Sequence, residues 1–172
     1  MRIYLKWVLL GAVALGILFL AIKSYQVVQQ KEKFATDKGQ LSTFQGCINT
    51  DSSRFEVSNL PKQNPVLVLF LDTECGQCQR QVANLQQHYQ RLQNAEVLLV
   101  SVERLAALRA FEQKVKSNQH FHLLQIQSEQ VFETFGSLIS PHTFVYDTNH
   151  QLLKDFKGQT PIDSIVGALS VQ

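Results

Sequence analysis

Apolar residues recur along this chain with three distinct patterns, and the changes between them mark its elements. The first is an unbroken run over residues 3–22 in which Lys6 is the only charge. Twenty residues at helical rise match the ~30 Å hydrocarbon core of a bilayer. The second is a short continuous run over residues 66–71, opened by Pro65, and another over 95–102. Runs of this length suit strands buried on both faces, as in the middle of a parallel sheet. The third is helical spacing: Val82, Leu85, Tyr89 and Leu92 within residues 75–93, then Leu105, Leu108, Phe111 and Val115 within 103–116.

Shorter segments complete the pattern. Residues 54–57 suggest a leading strand, 121–126 another, and 129–135 a short helix ended by Gly136. Residues 142–147 and 151–156 flank the tripeptide TNH as a hairpin. Residues 160–169 form a last helix, with Thr160 as N-cap and Pro161 at its first position. Phe121, Phe132, Phe135 and Phe144 fall at core positions. Strands alternating with helices imply right-handed parallel crossovers, and the late hairpin adds an antiparallel edge. The expected fold class is α/β: a central mixed sheet flanked by helices on both faces, preceded by a transmembrane helix.

The division follows: residues 1–23 as a membrane anchor, 24–50 as a juxtamembrane helix and tether, and 51–172 as one domain. The apolar run is longer than the ~7–15 residues of a cleaved leader, and no small-x-small site follows Ala21, so a retained anchor is expected. Lys6 can snorkel to the headgroups, while Trp7 and Tyr25 suit the two interfaces. Arg2 and Lys6 favour an inside start, opposed by Lys23, Lys31 and Lys33 beyond the run. The chain carries a formal charge of +2, and Arg2, Lys6 and Lys23 account for three positive charges, leaving the remainder at −1. A near-neutral domain without a basic cluster is not a nucleic-acid binder.

Three cysteines are too few for a disulfide scaffold. Two of them, Cys75 and Cys78, form a C-x-x-C motif where the first buried strand gives way to a helix. Unpaired N–H groups and the dipole at a helix start favour an anion, so a thiol there ionises more readily. The thiolate is the nucleophile, and Cys78 lies one turn on, within reach to close a disulfide. Strand, C-x-x-C, helix and βαβ continuation together read as a thioredoxin-like redox motif.

At these residues the chain resembles membrane-anchored, extracytoplasmic thioredoxin-like proteins of the TlpA/ResA type. The likeness runs from about Pro65 to Ala168 and rests on FLDTECGQC and SPHTFVYDTNHQLLKDFKG. It implies Cys75 as nucleophile and Cys78 as resolving thiol, with Gly76 and Gln77 between them. It further implies Pro141 as a cis-proline, Ser140 as a provider of backbone groups to an extended substrate, and Gly158 after the hairpin. No cofactor is implied. The partners implied are a disulfide-containing protein substrate, a membrane thiol donor and the bilayer itself through residues 3–22. The location implied is the inner membrane with the domain on the periplasmic side, and the commonest task is reducing apocytochrome c cysteines.

The chain departs from the family at three positions. Glu74 replaces the usual tryptophan, Gln77 the usual proline, and Leu69 the buried acid of thioredoxins proper. Glu74 opposes thiolate formation by its charge and is a candidate substitute acid. Three rivals stand beside the redox reading. Zinc needs four ligands, and Cys47, His88, His120, His122, His142 and His150 show no zinc-finger spacing; His120 and His122 are read as pointing to opposite faces. Copper handling would use the two thiolates and His142. A peroxiredoxin-like peroxidase would show P-x-x-x-T-x-x-C, whereas Thr73 stands only two residues before Cys75. Cys47 has three readings, a buried small hydrophobe, a cross-link to another chain or a third redox partner, of which the first is the commonest for a free cysteine.

Overall fold

The computed structural model describes residues 47–115, 120–136 and 139–170, together with Gly16, Lys23 and Leu41. The proposed anchor at 3–22 and most of the tether fall outside these residues. Among the described residues no helix is long and apolar enough to cross a membrane. The chain divides into two units, Met1–Thr36 and Asp37–Gln172, and all that follows concerns the second.

Its elements are β1 (Cys47–Asn49), β2 (Arg54–Phe55), β3 (Val66–Phe70), α1 (Gly76–Gln87), β4 (Glu96–Ser101), α2 (Leu105–Glu112), β5 (Phe121–Gln125), α3 (Ser128–Phe135), β6 (His142–Tyr146), β7 (Leu152–Lys157) and α4 (Ile162–Leu169). The described strands form one seven-stranded sheet in the order β2-β1-β5-β4-β3-β6-β7. β3, β4 and β5 are parallel, while β6 and β7 run antiparallel on one side and β1 and β2 on the other. The result is the expected mixed α/β sheet with one addition: β1 was not foreseen. It places Cys47 and Ile48 opposite Phe55 and Arg54, and it docks on β5. Leu41 is buried too, so the folded unit begins ahead of the expected boundary at 51.

The continuous apolar runs have the predicted cause. Along β3, Val66, Val68 and Phe70 enter one core while Leu67 and Leu69 enter the other. Side chains alternate across a strand, so only a sheet covered on both faces buries every position. The first core holds Phe135 and Phe144, stacked with centroids 4.7 Å apart, under α3. The second receives Val82 and Leu85 of α1, Leu108 and Phe111 of α2, and Ile162 and Ile165 of α4. Of the four phenylalanines expected in the core, Phe135 and Phe144 are buried and Phe121 is partly buried, while Phe132's side chain lies outside the described set.

Two helix ends differ from expectation. The helix over 75–93 stops at Gln87, and a 3-10 turn over Tyr89–Leu92 takes its place. His88, at φ −110° and ψ 24°, ends the α-helix, and Leu92 is still buried while Tyr89 turns to solvent. At α4 the cap position is Pro161, not Thr160, whose hydroxyl donates instead to the Gly158 carbonyl at 3.2 Å.

At the opposite end of β4 from the cysteines lies a buried carboxylate. Glu96 accepts from Asn64 Nδ2 (2.9 Å) and bonds His120 Nδ1 (3.1 Å) and His122 Nε2 (3.0 Å). The two histidines do not diverge as read from the sequence: residues two apart on a strand share a face, and both reach Glu96. Burial pushes the Glu96 carboxyl up, but the bonds from His122, Asn64 and His120 outweigh it and hold the group below its ordinary value. Its stabilising contribution is therefore present above the ordinary carboxyl range and lost as pH falls through the lowered value. Glu96→Gln is expected to cost about 1.5–3 kcal/mol at neutral pH, the range for hydrogen bonds to a charged group. Urea midpoints test this; an unchanged midpoint would show that the amide serves equally well.

Candidate redox site

The site forms where the chain leaves the carboxyl end of β3. Leu71 still bonds the Val100 carbonyl across the sheet at 2.9 Å, and the next four residues turn into α1. Asp72 makes the turn: its Oδ1 accepts the N–H of Glu74 (2.8 Å) and of Cys75 (3.2 Å). Such side-chain-to-backbone closure two or three residues on is the ordinary use of Asp in a turn. Thr73 is braced from two sides. Its hydroxyl and N–H both donate to the Glu103 carboxylate, and Gln79 Nε2 donates to its carbonyl at 2.7 Å.

This turn puts Cys75 at the cap position of α1 with extended backbone, φ −72° and ψ 116°. Its thiol is held below the ordinary 9.0 chiefly by the Cys78 backbone N–H, then by the Cys78 thiol and the Gln77 N–H, with burial and, after it, the Asp72 charge opposing. Cys78 is fully buried and pushed up to about 11, first by burial; the Asp72 N–H at 3.5 Å and the Ser140 hydroxyl act against that. The two sulfurs therefore differ in kind. One is accessible and readily ionised, and the other is enclosed and holds its proton.

Ser140 and Pro141 lie beside this pair, joined by a cis peptide bond. The cross-strand pairing of Phe70 with His142 brings them there from more than sixty residues downstream. Gly158 donates its N–H to the Pro141 carbonyl at 2.8 Å with φ +81°, a conformation that favours glycine. Gly76 opens α1 and is exposed, and a Cβ there would meet only the end of Arg80 at 3.6 Å. Gln77 contributes its backbone N–H.

The acid that bears on the Cys75 sulfur is Asp72. Glu74 is exposed, and its N–H donates to Asp72. Sequence reading passed over Asp72, Gln81 and Glu103 and took Thr160 only for a helix cap, although an Asp three residues before the first cysteine is a turn signal. In the reduced protein, iodoacetamide is expected to modify Cys75 at least about tenfold faster than Cys78 at neutral pH. Asp72→Asn keeps the Oδ1 acceptor and removes the charge, so the Cys75 alkylation profile is expected to move to lower pH. A profile that stays in place would remove Asp72 from the electrostatics of the site.

The metal readings do not converge on these residues. His142 pairs with Phe70 and lies tilted against the Phe144 ring with centroids 4.0 Å apart, on the face opposite the cysteines, and its Nε2 bonds Asp155 at 3.0 Å. Cys47 is buried in that same opposite core, its thiol pushed up to about 12 by burial. Among the described residues no three His, Cys, Asp or Glu side chains are grouped to hold a metal ion.

Solved structures share this fold at low identity. DsbF of Mycobacterium tuberculosis, seen in mixed oxidised and reduced forms, aligns with TM-score 0.63 and 18% identity over 75% of this chain and 96% of its own. A secreted disulfide oxidoreductase of the same organism, homologous to Escherichia coli DsbE, aligns with TM-score 0.61 and 15% identity over 74% and 98%. Copper-bound ScoI of Arabidopsis thaliana aligns with TM-score 0.58 and 13% identity over 72% and 91%. None of the curated proteins matches the chain. The sequence itself matches one family across residues 35–154, a span that runs from before β1 into β7 and takes in both cysteines and the cis-proline. With its thioredoxin-like sheet, the chain belongs to the AhpC/TSA family.

Proposed function

We propose that the protein is a membrane-anchored, extracytoplasmic thiol–disulfide oxidoreductase that reduces disulfides in protein substrates. The observation that carries this reading is the unlike pair of sulfurs at the start of α1: Cys75 accessible and depressed, Cys78 buried and raised. In the first step the Cys75 thiolate attacks a substrate disulfide, and one substrate sulfur leaves as a thiolate that takes up a proton. In the second, Cys78 loses its proton and attacks the Cys75 sulfur. The intramolecular disulfide forms, the mixed disulfide breaks, and the second substrate thiol departs. The protein dithiol is oxidised by two electrons and the substrate disulfide is reduced by two. A thiol donor in the membrane would restore the pair.

Retention of residues 3–22 in the inner membrane, a periplasmic domain at 51–172 and apocytochrome c as substrate belong to this proposal. They are supported by the apolar run and the resemblance of the active-site segments. The peroxidase reading is disfavoured by Thr73, whose hydroxyl is already donated to Glu103. The copper reading is disfavoured by His142, which faces away from both thiols. With dithiothreitol as donor, the domain is expected to accelerate insulin disulfide reduction and to consume hydrogen peroxide no faster than a free thiol. Peroxide turnover without insulin reduction would overturn the proposal.

A further inference from the structure

One fully buried polar residue of α1 has no part in the exchange steps as written. Gln81 lies in the inward stripe of the helix with Cys78, Val82 and Leu85. Its amide is used at both ends by a single residue 79 positions away: Nε2 donates to the Thr160 carbonyl at 3.1 Å, and Oε1 accepts the Thr160 N–H at 2.7 Å. Thr160 continues the connection, its hydroxyl bonded to the Gly158 carbonyl, and Gly158 in turn donates to Pro141. Ser140, next to Pro141, has its hydroxyl directed at the Cys78 thiol, which it favours as the anion. The hydrogen bonds thus run from the helix turn beside Cys78 through Thr160 and Gly158 to the cis-proline segment, whose Ser140 faces the Cys78 thiol.

We infer that Gln81 is a positioning residue for the second half of the exchange, holding the cis-proline segment and the Cys78 sulfur in register through Thr160 and Gly158. The inference rests on the proposed thiol–disulfide reading. Cys75 sits outside these bonds, at the cap and toward solvent, fixed by Asp72. Loss of the Gln81 amide should therefore slow release of the mixed disulfide and leave the first attack nearly untouched. A neutral amide suits the place because it offers one donor and one acceptor to the donor and acceptor of Thr160. An ionised carboxylate offers acceptors only and would face the Thr160 carbonyl without a proton.

Dithiobis(nitrobenzoate) reads the two steps separately. Attack by Cys75 on this aromatic disulfide releases one coloured thiolate, and attack by Cys78 on the resulting mixed disulfide releases the second, each step giving one proton to solvent. In the reduced full-length protein Gln81→Met is expected to slow the second release by about tenfold or more, the scale of small misplacements of reacting groups. The first release should stay within about twofold. Arg80→Ala, which removes an exposed contact to neighbouring Gln159, should alter neither. Gln81→Glu keeps the side-chain volume and supplies a pH signature. Its second-step rate relative to wild type should rise toward unity as pH falls, because a protonated carboxyl restores the donor. Equal slowing of both phases in Gln81→Met, or a Gln81→Glu ratio well below unity and flat in pH, would overturn the inference. A wild-type protein giving one release only would overturn the exchange reading itself.

Discussion

Replacing Cys75 with serine is expected to abolish insulin reduction, by on the order of a thousandfold or more, since no other thiol can take its place as nucleophile. Cys78 is buried and raised, and Cys47 is buried in the core on the far face of the sheet. Cys78→Ala is expected to fail differently. The first attack survives and the mixed disulfide persists, so the variant should accumulate as a covalent adduct with insulin on non-reducing gels. The two outcomes separate the roles: loss of reactivity in one variant, and loss of release in the other. If Cys75→Ser retained substantial turnover, or if Cys78→Ala formed no adduct, the assignment of nucleophile and resolving thiol would fail.

Alkaline instability that depends on redox state is the second large effect. Burial favours the neutral thiol, so the folded reduced protein holds protons on Cys78 and Cys47 that the unfolded chain has released above the ordinary 9.0. The unfolded state then binds fewer protons, and stability falls with rising pH. It is present in full below about 9 and drains as pH climbs toward about 11 for Cys78 and about 12 for Cys47. Each thiol contributes about 1.4 kcal/mol per pH unit within its window. Cys75, with its depressed thiol, acts the other way at the foot of the window, where the unfolded chain still holds its proton, and adds no slope once both states have ionised. Oxidation of the pair removes Cys78 from the titration and leaves Cys47. Urea unfolding at about pH 9.5 and 10.5, above the foot of the window where Cys75 opposes, should therefore show a clearly larger thiol-linked loss in the reduced form. Equal losses in both forms would mean that Cys78 is not held protonated by the fold.

The parts of this molecule legible in its sequence are those whose cause is local. The runs at 66–71 and 95–102 announced central strands because both faces of the sheet are covered. The C-x-x-C at the end of the first run announced a thiol at a helix start because that geometry follows from adjacency. β1 was not legible: it is three residues long, carries polar Asn49, and exists through pairing with Phe55 and with β5 more than seventy residues on. The end of α1 was hidden because Leu92 keeps the helical apolar spacing while the backbone has tightened to a 3-10 turn. Gln81 looked like one more glutamine in a chain rich in them; its partner is set by tertiary structure alone. The same holds for Glu103, whose grip on Thr73 spans thirty residues. Asp72 was within the segment already singled out, and attention to turn chemistry would have found it.

The central claim is that Cys75 and Cys78 exchange two electrons as a single couple. Equilibration of the domain across a series of glutathione redox buffers, followed by acid quenching and peptide mapping, tests it most directly. The account predicts one two-electron transition in which the Cys75 and Cys78 peptides become linked to each other while Cys47 stays a free thiol. Stable glutathione adducts on Cys75 with Cys78 still reduced, or a disulfide that includes Cys47, would contradict it.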